Sequence, residues 1–295
     1  MFRLIYRQRR RLLFGSFFGT LALMLMFLDM GGHAILAVYP TWITVTSMVL
    51  TASIVAIGIF LAGAAIVLLL PNWRMMIELM SLVLFLNATT TILFPAIYDI
   101  PLIGMFWPFI LTVSIFSVMY GEVLDGLRPW VDYRSTRSFL SPKSADELWA
   151  ELVPGEAPIA RHWDSMLYTL EPDPEEPDSF AVQYTHGGSV YEHQTMTYLE
   201  KDAPHYAKYH HVGEVDPKNR SLVEGIYEVQ ITPLETGGCK VTFTACRSLM
   251  LHRQALAMWF DDHLGDQVDH LRALHLGRSD WSQSGRIRRK VSQFA

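Results

Sequence analysis

Charged side chains are scarce in the first 129 residues, which contain seven arginines, no lysine and five acidic residues. The other 17 basic and 24 acidic residues follow, so the first part carries +2 and the second −7. A nucleic-acid binder needs a basic face to displace counterions from phosphates. The acidic second part has the opposite sign, and we therefore predict no nucleic-acid partner.

Cysteine is also scarce, with only Cys239 and Cys246. Both fall on one predicted strand, seven residues apart and on opposite faces, so no disulfide is expected between them. This usage fits a reducing compartment. Histidines are more numerous, but none has the spacing of a metal site. His263 and His270 share a helix face beside Asp266, so a metal site there is an alternative hypothesis. We predict no metal and no cofactor.

The first 129 residues are instead rich in long apolar runs. A helix that crosses about 30 Å of hydrocarbon needs about 20 apolar residues. Four segments reach that length, at residues 12–30, 42–70, 75–98 and 102–124. The sequence therefore predicts an α-helical membrane domain over residues 1–129 with about four transmembrane helices. The first run is long and lacks a cleavage site, so we interpret it as a retained helix.

Arginines near the predicted spans indicate their orientation, because such charges are retained on the cytoplasmic side. Arg3 to Arg11 precede the first span, Arg74 lies between the second and third, and Arg128 follows the fourth. The loops at residues 31–41 and 99–101 contain no lysine or arginine. We expect an integral protein of a bacterial inner (plasma) membrane, with the N-terminus and the C-terminal domain in the cytoplasm.

A few polar or small residues within the predicted spans need an interpretation. Glu78 follows Arg74 by four residues, and we expect an ion pair that reaches the membrane interface. Asn87 and Thr89 to Thr91 either line a site or bond to a neighbouring helix, and we favour the bond to a helix. Gly58 and Gly63 predict close helix contacts.

After residue 129 the pattern changes to short alternating runs. Val131–Leu140 alternates as a half-buried strand does, and Ser144 with Glu147 forms a capping box that predicts a helix. Apolar residues over His252–Leu276 recur at helical spacing and predict a long amphipathic helix. Between these helices, six segments predict antiparallel strands: Ser165–Leu170, Phe180–Thr185, Ser189–Leu199, His205–His211, Leu222–Pro233 and Cys239–Leu249.

This order of elements, together with the segment Arg137–Trp149 that leads from the first strand into a proline-started helix, resembles the START-like or SRPBCC superfamily. That superfamily includes the Bet v 1 allergens and the polyketide cyclase/dehydrase-like proteins. The resemblance implies an α+β helix-grip domain over residues 130–277, in which a curved antiparallel sheet and a long C-terminal helix enclose an apolar cavity. Residues 278–295 form a basic tail of net +4, which we read as either a membrane-surface contact or an unstructured end.

Aromatic and polar residues on the predicted strands and last helix supply candidate ligand contacts. We name Tyr184, His193, Tyr198 and Trp259 for this role. Alternation shows which residues share a face of the sheet, but it leaves open which face lines the cavity. For this reason no catalytic set is named.

Three functions remain open at this stage. The first is a membrane-anchored START-like protein that binds a hydrophobic ligand or a lipid at the cytoplasmic face. The second is a non-catalytic assembly or regulatory subunit of a membrane complex, and the third is a cyclase or hydratase acting on an aromatic or polyketide-type substrate. The first is preferred, with membrane lipids, a hydrophobic small molecule and a membrane protein as the expected partners. A fold shared by binders and enzymes does not choose between these functions.

Overall fold

The computed structural model describes residues 1–125, 130–188, 190–214 and 222–292. They form two compact units, a helical unit at Met1–Leu124 and a sheet unit at Asp125–Ala295. Arg128 and Ser189, the first residue of one predicted strand, lie outside the described residues. The domain boundaries read from the sequence stay a prediction.

The helical unit consists of helices joined by short turns. Its elements are α1 Phe2–Arg7, α2 Arg9–Phe27, a π-helical turn Leu28–Gly32, α3 His33–Ala37, α4 Thr41–Leu69, a 3₁₀ turn Pro71–Trp73, α5 Met76–Leu93, α6 Ala96–Asp99 and α7 Ile103–Met119. Helix α2 packs against both α4 and α5, and α5 packs against α7.

Three segments of this unit are long and apolar enough to cross a membrane: Arg9–Ala37, Thr41–Leu69 and Pro71–Leu93. Helix α7 is also apolar but has only 17 residues, contains Pro108 and ends at Met119. At 1.5 Å per residue it is about 26 Å long, less than the ~30 Å of hydrocarbon. Three of the four predicted spans are therefore present at full length, and the fourth is not confirmed.

Glu78 lies inside the helical unit, fully buried. Its carboxylate forms an ion pair with Arg11 of α2, with 3.0 Å between Oε1 and Nη1, and accepts a hydrogen bond from the hydroxyl of Tyr120. Glu78 therefore does not extend toward a membrane interface as expected, because it is fully buried beside Arg11 of α2, and the pair with Arg74 stays a prediction. A buried charge needs such partners, since leaving it unpaired is costly.

Small residues allow the helices of this unit to approach closely. A Cβ atom at Gly63 would lie 2.9 Å from Leu12, and one at Gly15 would lie 2.6 Å from Ile77. The close contact predicted at Gly63 is confirmed. At Gly58 nothing lies within 4 Å of an added Cβ, so that prediction is wrong.

The polar residues near the C-terminal end of α5 bond mainly within their own helix. Thr89, Thr90 and Thr91 each donate to the carbonyl four residues earlier. Asn87 reaches another element, because its side-chain oxygen accepts from the Tyr98 hydroxyl of α6 at 2.9 Å. The expected bond to a neighbouring helix therefore holds for Asn87 but not for the threonines.

The sheet unit contains one antiparallel sheet of seven strands in the order β1-β7-β6-β5-β4-β3-β2. Strands β2 to β7 form a meander, in which each strand pairs with the next one in the sequence. Strand β1 pairs with β7 at one edge of the sheet. The strand bounds are β1 Trp130–Ser141, β2 Leu167–Pro172, β3 Ser179–Thr185, β4 Tyr191–Asp202, β5 Tyr206–Glu214, β6 Leu222–Pro233 and β7 Cys239–Leu251. All seven predicted strands are present, and they form one antiparallel sheet that is followed by C-terminal helices.

Helix α8, Ala145–Leu152, begins with the predicted capping box, in which Ser144 and Glu147 each bond to the other's backbone N–H. Its buried face contributes Leu148 and Leu152 to the core, beside a 3₁₀ turn at Ile159–Arg161. This core also includes Leu264, Val268 and Leu271 from the predicted C-terminal helix.

The predicted long helix is divided into α9, His252–Asp261, and α10, His263–His275. The break lies at Asp262, whose backbone is left-handed with φ of 47°. The Asp262 carboxylate is buried and pairs with Arg137 of β1, which accounts for the interruption. Helix α10 packs directly against β1.

The C-terminal segment forms a further helix, α11, at Gln283–Val291. Buried Asp266 of α10 accepts hydrogen bonds from the backbone N–H groups of Gln283 and Ser284, at 3.0 and 2.6 Å. These bonds satisfy N–H groups that have no partner within their own helix. The hypothesis that residues 278–295 are an unstructured end is therefore wrong for the residues that the structure describes, which extend to residue 292.

Candidate functional site

The inner face of the sheet, together with α10 and α11, lines an open cavity of about 330 Å³. This is near the lower end of the ~300–1,000 Å³ usual for small-molecule sites. Apolar side chains line part of it, among them Met166, Val182, Met196, Ala245 and Leu264.

Tyrosines form a row across the inner face of the sheet. Tyr198, Tyr209 and Tyr227 occupy paired positions on β4, β5 and β6, with ring centroids 5.8 and 5.5 Å apart. Burial raises the pKa of Tyr209 and Tyr227, and also that of Tyr184 on β3. These phenols therefore stay protonated at neutral pH and can donate hydrogen bonds into the cavity.

Arg247 of β7 brings a cation to the cavity wall. It is paired with Gly225 of β6 on one side and with Tyr133 of β1 on the other. Among the described residues, none forms a hydrogen bond or an ion pair with its guanidinium. Burial lowers the pKa of Arg247 and the charge of Glu192 opposes that effect, but a guanidinium remains protonated in proteins.

Two neutral histidines face the same cavity. Burial and the positive charge of Arg247 lower the pKa of His211 to about 4, and the same two causes lower the pKa of His263 to about 4. Gly225 lies between Arg247 and His211 in the sheet. A Cβ atom at Gly225 would be 2.3 Å from the carbonyl oxygen of Cys246 and 3.2 Å from the His211 ring. The His211 ring therefore packs against this glycine.

An acidic group at the edge of the cavity is already paired. Glu192 of β4 lies 2.9 Å from His186 between the carboxylate and Nε2, and it also accepts from Gln194. Burial alone raises the pKa of Glu192, but these hydrogen bonds outweigh it and the pKa is lowered. The hydrogen bond with Glu192 raises the pKa of His186.

A second ion pair lies in the cavity wall near α11. Arg288 donates from Nε and Nη2 to the two carboxylate oxygens of Asp164, at 3.0 and 2.9 Å. Its guanidinium also lies over the ring of Trp163, 4.7 Å from the centroid. Bidentate pairs of this kind fix geometry as well as charge.

The four candidate residues lie in different places. Tyr184 lines the cavity. Tyr198 is buried on the same face, and its hydroxyl donates to the carbonyl of Pro154. His193 is exposed on the outer face of β4, beside Gln183, and Trp259 of α9 is 43% exposed. The structure thus brings Tyr184 and Tyr198 together and leaves His193 and Trp259 outside the cavity; a ligand contact at any of them stays a prediction.

Sequence reasoning missed Arg247 and His211. The alternation of β7 held a signal, because Val241, Phe243 and Ala245 are the inward residues and Arg247 continues their series. An arginine that follows three apolar residues on one face of a strand marks a charge at the end of the core.

The histidines of α10 have separate surroundings. His263 lines the cavity, whereas His270 lies 2.9 Å from a carboxylate oxygen of Asp280 through Nδ1. Within the described ranges, no group of three or more His, Cys, Asp or Glu side chains could hold a metal ion. Cys239 and Cys246 are free.

No family model and no curated protein matches this sequence. Solved structures similar to about half of the chain include the Mll3558 protein from Rhizobium loti, with 13% identity and a TM-score of 0.36 over 50% of this chain and 97% of that one. A conserved protein from Geobacillus kaustophilus has 15% identity and a TM-score of 0.32 over 55% and 96%. Ara h 8.0201 has 12% identity and a TM-score of 0.32 over 47% and 98%. Likeness at this level carries no information on function.

Proposed function

We propose that this chain is a membrane-anchored binding protein whose sheet unit holds an amphipathic small molecule or a lipid. The observation that carries the proposal is the cavity of about 330 Å³, whose wall combines apolar side chains with a few polar groups. This mixture is typical of small-molecule sites, where apolar contacts provide affinity and polar groups fix orientation.

The helical unit serves as the anchor in this proposal. Its three long apolar segments, with α7 as a fourth and shorter span, would hold the chain in a bacterial plasma membrane. An even number of spans and the positions of the arginines favour a cytoplasmic sheet unit. Only residues 120–129 separate α7 from β1, so the cavity would stay close to membrane lipids as a source of ligand.

A cyclase- or hydratase-like activity is the second candidate. It is favoured by two neutral histidines, His211 and His263, that face a cavity lined by tyrosine hydroxyls. Such groups can move protons to and from a bound substrate. Conversion of a captured ligand into a product of different mass would separate this activity from binding alone.

Native mass spectrometry of the full chain, purified in mild detergent, tests the proposed binding. Ala245→Trp should fill the cavity, because Ala245 is part of its wall. Thr195→Trp is the matched control, since Thr195 is exposed on β4. We expect the wild type and Thr195→Trp to retain one small molecule per chain and Ala245→Trp to lose it.

Two results would contradict this function. One is a wild-type chain that carries no small molecule and binds no apolar probe. The other is an Ala245→Trp variant that retains the molecule as well as the wild type does, with both variants melting as the wild type does.

A further inference from the structure

Among the described residues that line the cavity, the charged groups are paired with one exception. Glu192 is matched by His186, and Asp164 is matched by Arg288. Arg247 attracts Glu192 electrostatically, but that carboxylate already accepts hydrogen bonds from His186 and from Gln194. The cavity therefore contains one cation whose hydrogen-bond donors are not used by the described residues. Arg247 is half-buried, so its guanidinium remains accessible to a ligand that enters the cavity.

The neighbours of Arg247 leave its positive charge in place. His211 and His263 are the titratable groups of β5 and α10 that face it, and both are neutral at pH 7. Tyr227 of β6 lines the same cavity, whereas the Tyr133 hydroxyl of β1 already donates to the carbonyl of Met258. The Tyr227 phenol can donate a further hydrogen bond to an anion held by the guanidinium.

Building on the ligand-binding function above, we propose that Arg247 binds the anionic group of the ligand, and that this ligand is a carboxylate-bearing amphiphile. One unmatched cation balances one negative charge, which favours a carboxylate over a phosphate dianion. The planar guanidinium also matches the two oxygens of a carboxylate. The apolar part of the ligand then contacts Met166, Val182 and Leu264, which line the cavity.

Isothermal titration of the full chain in lipid nanodiscs tests this assignment, with empty nanodiscs as the blank. The probes are octanoate, 1-octanol and octyl phosphate, which share a chain and differ in head group. The variant is Arg247→Met, which removes the charge and keeps a flexible side chain. Arg134→Met is the matched control, because Arg134 lies exposed on the outer face of β1.

We expect octanoate to bind the wild type more tightly than either other probe. Arg247→Met should weaken octanoate binding about 10- to 100-fold, as the loss of hydrogen bonds to a charged group does. Binding of 1-octanol to Arg247→Met should be unchanged, which also shows that the variant is folded. Arg134→Met should bind all three probes as the wild type does.

The contradicting outcomes separate this inference from the function on which it rests. Equal weakening of octanoate and 1-octanol, or no weakening of either, overturns the role of Arg247 and leaves ligand binding intact. Tighter binding of octyl phosphate than of octanoate overturns the carboxylate assignment. Binding of no probe to the wild type, after subtraction of the blank, overturns both the inference and the proposed function.

Discussion

Arg288 should be a main attachment of the C-terminal helix to the sheet unit. Its side chain is 7% exposed and makes a bidentate ion pair with Asp164, whereas the adjacent Arg289 is 54% exposed and pairs with Asp280. Removing one partner of a buried pair costs about 3–5 kcal/mol, because the other charge stays buried. An exposed pair contributes only about 0–1 kcal/mol. Arg288→Met should therefore be far more destabilising than Arg289→Met.

Near-ultraviolet circular dichroism of the full chain, recorded during heating, measures this difference. A change of 1 kcal/mol shifts the melting temperature by about 2–4 °C in a domain of this size, so we expect a fall of about 10 °C for Arg288→Met and a few degrees at most for Arg289→Met. The double variant Arg288→Met with Asp164→Asn should recover part of the loss, since it removes the orphaned charge. Equal shifts for the two single variants would refute the reasoning, as would a double variant that is worse than both singles combined.

Two further results are expected. The pKa of His211 is about 4 in the fold against ~6.5 in an unfolded chain. Below about pH 6.5 the unfolded chain binds a proton at His211 that the folded chain does not. The free energy of unfolding therefore decreases as the pH falls from 6.5 toward 4, by on the order of 3 kcal/mol. His211→Gln should flatten this dependence in urea unfolding between pH 7.5 and 5, and an unchanged slope would count against it. In the helical unit, Glu78→Leu should lower the melting temperature in detergent by removing a charged partner of buried Arg11. Adding Arg11→Met should restore part of the loss, and a further loss in the double variant would contradict the buried pair.

Local patterns made the sheet readable from the sequence. The inward residues of β7 alternate strictly from Val241 to Arg247, and turns rich in glycine, proline and acidic residues separate the strands. The capping box at Ser144 and Glu147 depends on residues three apart, so it too could be predicted locally. Such features depend only on neighbours in the chain.

Contacts between distant residues could not be predicted in this way. Arg288 and Asp164 are 124 residues apart, and the break in the C-terminal helix at Asp262 depends on Arg137 of β1. The choice of cavity face has the same origin, because it is fixed by the packing of α10 and α11 across the sheet. His193 and Glu192 are adjacent on β4 and therefore point to opposite faces of the sheet. The sequence does not show which face lines the cavity, and in the structure it is the face of Glu192.

In the helical unit, the helices could be predicted from the sequence but the contacts between them could not. Hydropathy identifies long apolar segments, and three of them are present at full length. It does not show that Glu78 would be turned toward Arg11, since this depends on how α2 and α5 pack. The orientation in the membrane and a membrane-protein partner stay predictions.

Photoaffinity labelling tests most directly whether the cavity is the binding site. A fatty acid with a diazirine in its chain would be added to membranes that contain the full protein, irradiated, and located by peptide mass spectrometry. We predict labels on cavity residues of the sheet unit, in peptides that contain Tyr227 or Leu264, and their loss when unlabelled octanoate is in excess. Labels confined to residues 1–124 would contradict the account, because the acid would then contact the protein only as a membrane lipid does.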